Sequence, residues 1–556
     1  MSGPASALHP AAGLEAVLGD PHDPDSVCSF ASAVANDEAE RFPEEAAALL
    51  ARWGLDDYFI PVTVGGKLAA FDEASAIIRI VSRRDPSLAV AVGQCFLAAM
   101  PAWIAGTTAQ QERVAALLRA HRPLAFAMTE RAHGSDIMAG EVAAAEAGGR
   151  YELSGEKWLI NNATRGEMLS VLARTDARGG PRGFSILLFE KSAAPPETYA
   201  HLPKIRTHGI RGADISGIRF RGAPAAGGMI GNPGDGVEVA VKTLMVTRSL
   251  CPAFSLGAAD TALRIVLRFA RERRLYGGTV FDIPAARAAL ADARADLRAC
   301  EVLAEATARS IHVAPDQLSV ASAVAKYFIP TTIEDVLREL SVILGARYYL
   351  REDYAHGMFQ KLLRDAAVVS LFDGSTMVNL HALSMQIHAL HSRRARAGED
   401  DDLQPRLRVM FAHGAPLPLP DFSRLALLSR GRNDIVDGLP AATESLAGQS
   451  EASRLLRSLA GELLERIEEH DQAASALPRT PQRGSTQLFQ LARQYCVLHA
   501  AAALVHATAV RHDGNDGDRE VAALALHRLL RRLGPLPDVS ARLSDAAFIA
   551  ILDSGE

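Results

Sequence analysis

Apolar residues recur three and four positions apart through the first part of the chain, in FPEEAAALLARWGL, DEASAIIRIVSRR, the uncharged PSLAVAVGQCFLAAMPAWIAGTTAQQ and AQQERVAALLRAH. This spacing predicts an all-helical region over 1–122. From 123 to 231 the period shortens to β-type runs between turns: LAFAMTE, RYELSGEKWLINNA, MLSVLARTD, GFSILLFEK and ISGIRFRG. The segment DARGGPRG between two of these runs carries the clearest hairpin signal, because Gly-Gly-Pro cannot continue a strand. Helical repeats return over 232–391, including VEVAVKTLMVTRSLCPAFSLGAADTALRIVLRFARERR and IPAARAALADARADLRACEVLAEATARSI, with the lengths of bundle helices. A polar stretch, SRRARAGEDDDLQPR, then leads into 392–556, where ATESLAGQSEASRLLRSLAGELLERIEEH, TQLFQLARQYCVLHAAAALVHATAV and REVAALALHRLLRRLG are again helical. The succession predicts an α+β, mostly α fold of four domains: 1–122 helical, 123–231 β, 232–391 helical bundle and 392–556 appended helices.

Composition narrows the partners. The 556 residues carry a formal net charge of -6, and Lys is absent after Lys361. Arg alternates with Asp and Glu instead of forming a basic block, so no nucleic-acid partner is expected. Cys28, Cys95, Cys251, Cys300 and Cys496 are scattered without Cys-x-x-Cys spacing, which argues against a disulfide framework or zinc site and fits a reducing compartment. The opening MSGPASALHPAAGLEAV lacks the basic segment and continuous apolar core of a secretory signal, so a cytoplasmic protein is expected. The uncharged run Pro86–Gln111 is long enough for a bilayer. Gln94, Pro101 and a Gly-Thr-Thr break interrupt it, however, and it reads as a buried helix, with no membrane span expected. His381 and His388, seven apart, share one face of a predicted helix with His391 nearby, but no carboxylate completes a metal set and no metal is expected.

Four short stretches carry the candidate chemistry. In AMTERAHGSD, Ala127–Asp136, hydroxyls at Thr129 and Ser135 flank a glycine turn whose backbone N–H groups can face a polar guest. GEKWLINNA, Gly155–Ala163, sets Trp158 and Asn161 in a β segment. RERRLYG, Arg271–Gly277, is a basic cluster ending a long helix, where the helix dipole favours positive charge in any case. LRDAAVVSLFDGST, Leu363–Thr376, places one short carboxylate, Asp373, between an apolar run and a Gly-Ser-Thr turn. The same acid could simply cap a helix that begins with Ser375 and Thr376.

In this order, the four stretches resemble the acyl-CoA dehydrogenase superfamily across residues 30–390, in a long form with an extra C-terminal helical domain. The resemblance implies FAD between the β domain and the bundle. Its matching contacts are Met128, Thr129 and Ser135 in the first stretch, Trp158, Leu159 and Asn161 in the second, and Gly345 and Ser375 in the bundle. Arg273 matches the arginine that reaches the flavin pyrophosphate of a neighbouring subunit, so at least a dimer is implied. Long relatives use a similar C-terminal addition in place of a second dimer, and a homodimer is expected by that analogy. The chain also departs from the pattern. Where most members carry Trp-Ile-Thr against the isoalloxazine, this chain has Leu159, Ile160 and Asn161, with its Trp one place earlier; Asn161 is expected to donate a hydrogen bond to the flavin. The family's Gln-x-x-Gly-Gly contact is reduced to Val342-Ile-Leu-Gly-Ala.

The resemblance also gives Asp373 a task. In the family a Glu followed by Gly-Thr removes the α-proton of an acyl thioester while hydride leaves the β-carbon for the flavin, and Asp373 is the matching acid. The base position used by some other members, before an Arg on a preceding helix, holds Thr247 before Arg248. Ser135, Arg248 and Phe372 match substrate contacts. Asp is shorter than Glu by one C–C bond, ~1.5 Å, and Phe372 and Leu371 are expected to supply an apolar setting that makes it a stronger base. The implied function is FAD-dependent α,β-dehydrogenation of an acyl thioester on coenzyme A or an acyl carrier protein. The electron acceptor is an electron-transfer flavoprotein or oxygen, and the departures at Asp373, Asn161 and Val342 point toward specialised metabolism. Two rivals stand beside it: an oxygen-using oxidase or monooxygenase, because members similar to nitroalkane oxidase use Asp at this place, and a scaffold that has lost flavin chemistry.

Overall fold

Asp85 and Pro86 turn the uncharged segment into a helix. The Asp85 carboxylate accepts the N–H of Ser87 at 2.9 Å, and the proline sits in the first turn, where its missing N–H leaves no bond unmade. The helix runs Pro86–Ala105 and is followed by Thr108–Arg119, which a Thr107/Gln110 capping box opens. In the computed structural model, which describes residues 10–176, 178–395, 400–478, 485–510 and 516–537, the chain forms two compact units, Met1–Thr247 and Arg248–Glu556. The helices before residue 122 share the first unit with the sheet, and the region after 392 shares the second with the bundle.

The sheet of the first unit contains β1 (Leu124–Ala127), β2 (Ala143–Ala147), β3 (Arg150–Asn161), β4 (Met168–Arg174), β5 (Phe184–Glu190), β6 (Tyr199–Leu202), β7 (Ile215–Pro224) and β8 (Met229–Ile230). Its order is β6-β7-β3-β2-β4-β5-β8, with β1 parallel beside β4. β4 and β5 pair antiparallel from Met168↔Glu190 to Arg174↔Phe184 across the hairpin segment, although Ala177 within that turn lies outside the described residues. Every residue of β5 and all but the last of β4 are buried, which explains why MLSVLAR and FSILLFE read as continuous apolar runs without alternation. The Ser170 hydroxyl within β4 donates to the Ala98 carbonyl at 2.8 Å, tying the sheet to helix Pro86–Ala105.

In the second unit, helices Pro252–Glu272, Pro284–Val313 and Leu318–Leu344 make the bundle. The long helix expected from VEVAV to RERR is interrupted at Cys251: Gly236–Leu250 ends, and Pro252, which cannot donate a backbone hydrogen bond, opens the next helix. Likewise, ATESL to IEEH forms two helices, Leu439–Glu444 and Glu451–Ser475, the second capped by Ser450. His381 and His388 do not share a helix: Thr376–Ser384 stops before Ile387–Arg394 begins. Part of the polar linker, 396–399, lies outside the described residues.

Two arginines attach the appended helices to the bundle. Arg309, 1% exposed, donates to the carbonyls of Val409 (2.8 Å), Met410 (3.0 Å), Ala412 (3.1 Å) and Ala415 (3.0 Å), which gathers the open C-terminal carbonyls of helix Leu403–Phe411. Arg528 of helix Asp516–Arg531 forms a two-point pair with Asp296, at 3.1 and 2.7 Å, and contacts Asp292 at 2.6 Å. Among the described residues, three stretches have the length and composition to cross a membrane: Pro86–Ala105, Gly236–Glu272 and Thr486–Val510. In their most apolar windows 67%, 89% and 72% of residues are buried, so protein packing accounts for their character.

Helix Thr486–Val510 also buries two histidines in neutral form. His499 meets the Asn433 amide at 2.8 Å, and His506 stacks on Phe411 and meets the Ile435 carbonyl at 2.8 Å. Burial pushes His499 down to about 3, with His506 nearby adding to the shift, and pushes His506 down to about 4 against the Ile435 bond. In the unfolded chain such a ring takes its proton near pH 6.5, so protons bind the unfolded state preferentially below that pH. Stability is therefore expected to fall between pH 6.5 and 4, by up to about 1.4 kcal/mol per pH unit for each ring. The check is the urea midpoint at pH 7 and pH 5, and His506→Gln should flatten the dependence.

Candidate active site

The turn that carries Asp373 is held by side chains gripping its backbone. After helix Met358–Ala366 the chain turns through 367–375 and enters helix Thr376–Ser384, whose N-cap is Ser375. Lys326, fully buried in helix Leu318–Leu344, donates to the carbonyl of Val369 and, at 2.7 Å, to that of Phe372. Arg248, 8% exposed, donates through Nε to the Asp373 carbonyl at 2.5 Å. Asn379 donates through Nδ2 to the carbonyls of Gly374 and Ser375 at 2.8 and 2.9 Å. Four consecutive carbonyls, 372–375, are thus satisfied by three side chains from other turns of the fold. Asp373 takes φ 51° and Gly374 φ 89°. Aspartate tolerates this left-handed backbone. Gly374 has no substitute, since a Cβ there would stand 2.5 Å from Arg248 Nη2.

The half-buried Asp373 carboxylate accepts, at Oδ2, the Cys251 thiol at 3.5 Å. Burial, reinforced by the Asp373 charge, pushes the Cys251 thiol well above its ordinary range, so it stays protonated and serves as a donor. Burial pushes Lys326 and Arg248 down, while Asp373 opposes both shifts. Phe372 meets Phe254 edge-on at 6.0 Å and lies under the Lys326 ammonium at 4.9 Å. Leu371 does not supply the apolar setting expected of it, being 66% exposed. Nor is Asp373 the helix cap, a position that Ser375 holds. What the turn presents is one carboxylate of fixed direction beside cations and an aromatic wall, suited to taking a proton from a carbon acid.

In the first unit, the two stretches expected to meet flavin are joined at their backbones. The Trp158 N–H donates to the Thr129 carbonyl at 3.0 Å. Lys157, 2% exposed, donates to the Met128 carbonyl at 2.9 Å and to Glu130 at 2.8 Å; Glu130 in turn accepts the N–H groups of Glu141 (2.6 Å) and Val142 (3.1 Å). Burial opposes the Glu130 charge, but Lys157 and these amides outweigh it and hold the carboxyl below its usual range; burial also pushes Lys157 down to about 8. One carboxylate therefore pins both ends of the loop that carries Ser135, itself exposed, while Met128 and Thr129 are half-buried. Arg131 stacks its guanidinium 4.6 Å over the Trp158 indole.

Pairing of β3 with β7 slips between Trp158 and Ile160, where Leu159 takes φ 60° and is 45% exposed. Asn161 donates one N–H of Nδ2 to the Val90 carbonyl at 3.2 Å, and its Oδ1 is buried without a partner, so the side chain has an acceptor left over. On the second unit, Arg273 is exposed just beyond helix Pro252–Glu272, and Gly345 takes φ 59° at the end of Leu318–Leu344 with open space where a Cβ would stand.

The structure thus brings Asp373, Arg248, Phe372 and Ser375 into one turn, and Met128, Thr129 and Trp158 around Lys157. Lys326 and Cys251 were missed by sequence reasoning. Lys326 had a signal, as the lone charge in SVASAVAKYFIP, a run too apolar to leave a solvated lysine. Cys251 had none. Among the described residues no group of three or more His, Cys, Asp or Glu side chains could hold a metal ion.

The segments that carry these residues are similar to known proteins. Residues 125–223 match the family model "Acyl-CoA dehydrogenase, middle domain" and residues 234–388 match "Acyl-CoA dehydrogenase, C-terminal domain". The chain is 28% identical over 351 residues to the probable acyl-CoA dehydrogenase FadE25 of Mycobacterium tuberculosis, spanning 63% of this chain and 88% of that protein. It is 26% identical over 352 residues to the CarC subunit of the caffeyl-CoA reductase-Etf complex of Acetobacterium woodii, spanning 63% and 90%. A crystal structure of an acyl-CoA dehydrogenase complexed with FAD from Bacillus anthracis shares the fold over 99% of this chain and 96% of its own, with a TM-score of 0.69 at 17% identity. With both family segments in order, and an acid held in the turn that follows the bundle, this chain belongs to the acyl-CoA dehydrogenase superfamily and is an oxidoreductase.

Proposed function

We propose that this protein is a FAD-dependent dehydrogenase of acyl thioesters in which Asp373 removes the α-proton. The observation that carries this reading is the Asp373 turn. The carboxylate is aimed by Arg248, Lys326 and Asn379 through the backbone, so its direction does not depend on the bond it makes to Cys251. Such a base needs to be held, not merely present, because proton transfer falls off over fractions of an ångström. FAD fits the residues of the first unit: the unpaired buried Oδ1 of Asn161, the projecting Leu159 and the Thr129–Trp158 backbone pair make a preformed polar edge, and the exposed Arg273 would reach the pyrophosphate of a neighbouring subunit's FAD. When bound, FAD supplies the hydride acceptor. Thr129, Trp158, Leu159 and Asn161 would hold it, while Phe372 and Phe254 exclude water from the carboxylate.

Coenzyme A or an acyl carrier protein carries the acyl group in this reading, and an electron-transfer flavoprotein takes the electrons, as the name of the Acetobacterium relative suggests. A homodimer is supported by the large apolar side chains left exposed on the second unit, Tyr276 at 98%, Tyr349 at 79% and Val342 at 77%. A cytoplasmic location is supported by five buried free thiols. The aspartate length also favours a second reading, an oxidase or monooxygenase acting on a more acidic carbon acid. The deciding measurement is the visible spectrum of the purified protein under anaerobic titration with acyl thioesters. Bleaching by one of them is expected; an oxidised spectrum throughout, with oxygen consumed on addition of a nitroalkane, would transfer the assignment to the second reading.

A further inference from the structure

The first unit contains a cleft of about 420 Å³ that none of the chemistry above uses. That volume lies within the range of small-molecule sites, ~300–1,000 Å³. Its floor is apolar: Ala47, Leu50 and Leu55 on one side and Ala91, Val92 and Cys95 on the other. Cys95 belongs to that floor as a neutral thiol, since burial pushes it up to about 12 and its sulfur accepts the Leu124 N–H at 3.4 Å.

The rim is cationic. Arg165 pairs with Glu44, lies 3.6 Å over the Phe42 ring and keeps a buried Nε with no acceptor. His121 meets Asp56 at 2.7 Å. These pairs occupy both carboxylates at the mouth and brace its walls. Arg52 and Arg122, by contrast, line the same cleft, are exposed and have no side-chain partner among the described residues. Two unpaired guanidinium groups above an apolar floor complement one ligand chemistry, a negatively charged head on an apolar body. By comparison with a cavity of ~150 Å³ that holds benzene, the space takes a body of roughly ten to fifteen non-hydrogen atoms.

We propose that this cleft is a second ligand site, distinct from the Asp373 turn, that binds a small amphipathic anion. The head group is a carboxylate or a phosphate monoester. The proposal does not rest on the dehydrogenase reading, because every residue in it belongs to the first unit and none is placed in the reaction.

Calorimetric titration of the full chain with decanoate, decyl phosphate, decanol and inorganic phosphate tests it. One-to-one binding of decanoate or decyl phosphate is expected, and whichever binds identifies the head group. The doubly substituted Arg52→Ala, Arg122→Ala protein should bind that anion at least tenfold more weakly and leave decanol unaffected. Ala48→Phe, at an exposed position on the cleft wall, should weaken the anion and decanol alike. The same results are expected in an Asp373→Ala background, which separates this cleft from any acyl site near Asp373. The proposal is overturned if neither amphiphile saturates below about 10 mM, if neither variant changes affinity, or if inorganic phosphate alone binds as tightly as decyl phosphate.

Discussion

Asp373→Ala is expected to keep its flavin and to lose about 10²–10⁴-fold in the rate of substrate-dependent flavin bleaching, the usual contribution of a positioned base. The structure makes this a clean experiment. The turn is held by Lys326, Arg248 and Asn379 through carbonyls of residues 369 and 372–375, and the Asp373 carboxylate itself accepts the Cys251 thiol. Deleting the carboxylate therefore removes the proton acceptor without releasing the turn. Asp373→Asn keeps the shape and should be equally slow, because an amide does not accept the proton. Asp373→Glu advances the carboxylate by ~1.5 Å, and its rate reports whether the substrate sits at aspartate reach. Stopped-flow absorbance reads all three, and a wild-type bleaching rate in Asp373→Ala would remove this residue from the mechanism.

The largest effect on stability is expected at Arg309. This guanidinium is 1% exposed and serves the carbonyls of Val409, Met410, Ala412 and Ala415. Arg309→Leu strips those buried acceptors of their donor, and each group left unsatisfied costs about 1–3 kcal/mol before relaxation. With partial relaxation, a loss of about 3–5 kcal/mol is expected. Arg309→Lys, with one ammonium in place of a five-donor fork, should fall between. Urea denaturation followed by circular dichroism measures both. A loss below ~1 kcal/mol for Arg309→Leu would mean that water replaces the guanidinium and that the appended helices are held elsewhere.

Much of the fold could be read from period alone, and the reasons are local. β4 and β5 announce themselves because they are buried throughout, and the Glu451–Ser475 helix because its apolar positions keep one face. What escaped is set by partners outside each stretch. Ala143–Ala147 has a composition that suits a helix and becomes β2 only because β3 lies antiparallel beside it. The break at Cys251 was in principle visible at Pro252, but the apolar repeat on both sides concealed it. The site divides in the same way. Asp373, Arg248 and Phe372 could be named from short stretches, whereas Lys326, which holds the turn by the Phe372 carbonyl, is 46 positions from it, and Cys251, which meets the carboxylate, is 122 positions from Asp373. Asn161 could be named but not its hydrogen bond, since the Val90 carbonyl that takes its donor is 71 residues distant.

The Arg309 staple also sets an order of events during synthesis. Its farthest acceptor, Ala415, is 106 residues downstream, and the Asp296 side chain on the same helix waits 232 residues for Arg528. At a ribosomal rate of ~5–20 residues per second, those intervals are roughly 5–20 s and 10–50 s. Through that time the nascent helix Pro284–Val313 carries a guanidinium and a carboxylate designed for burial but still without their partners. The faces of that helix that carry these two groups are therefore expected to be covered only as their partners emerge, the last of them on the chain's last described helix.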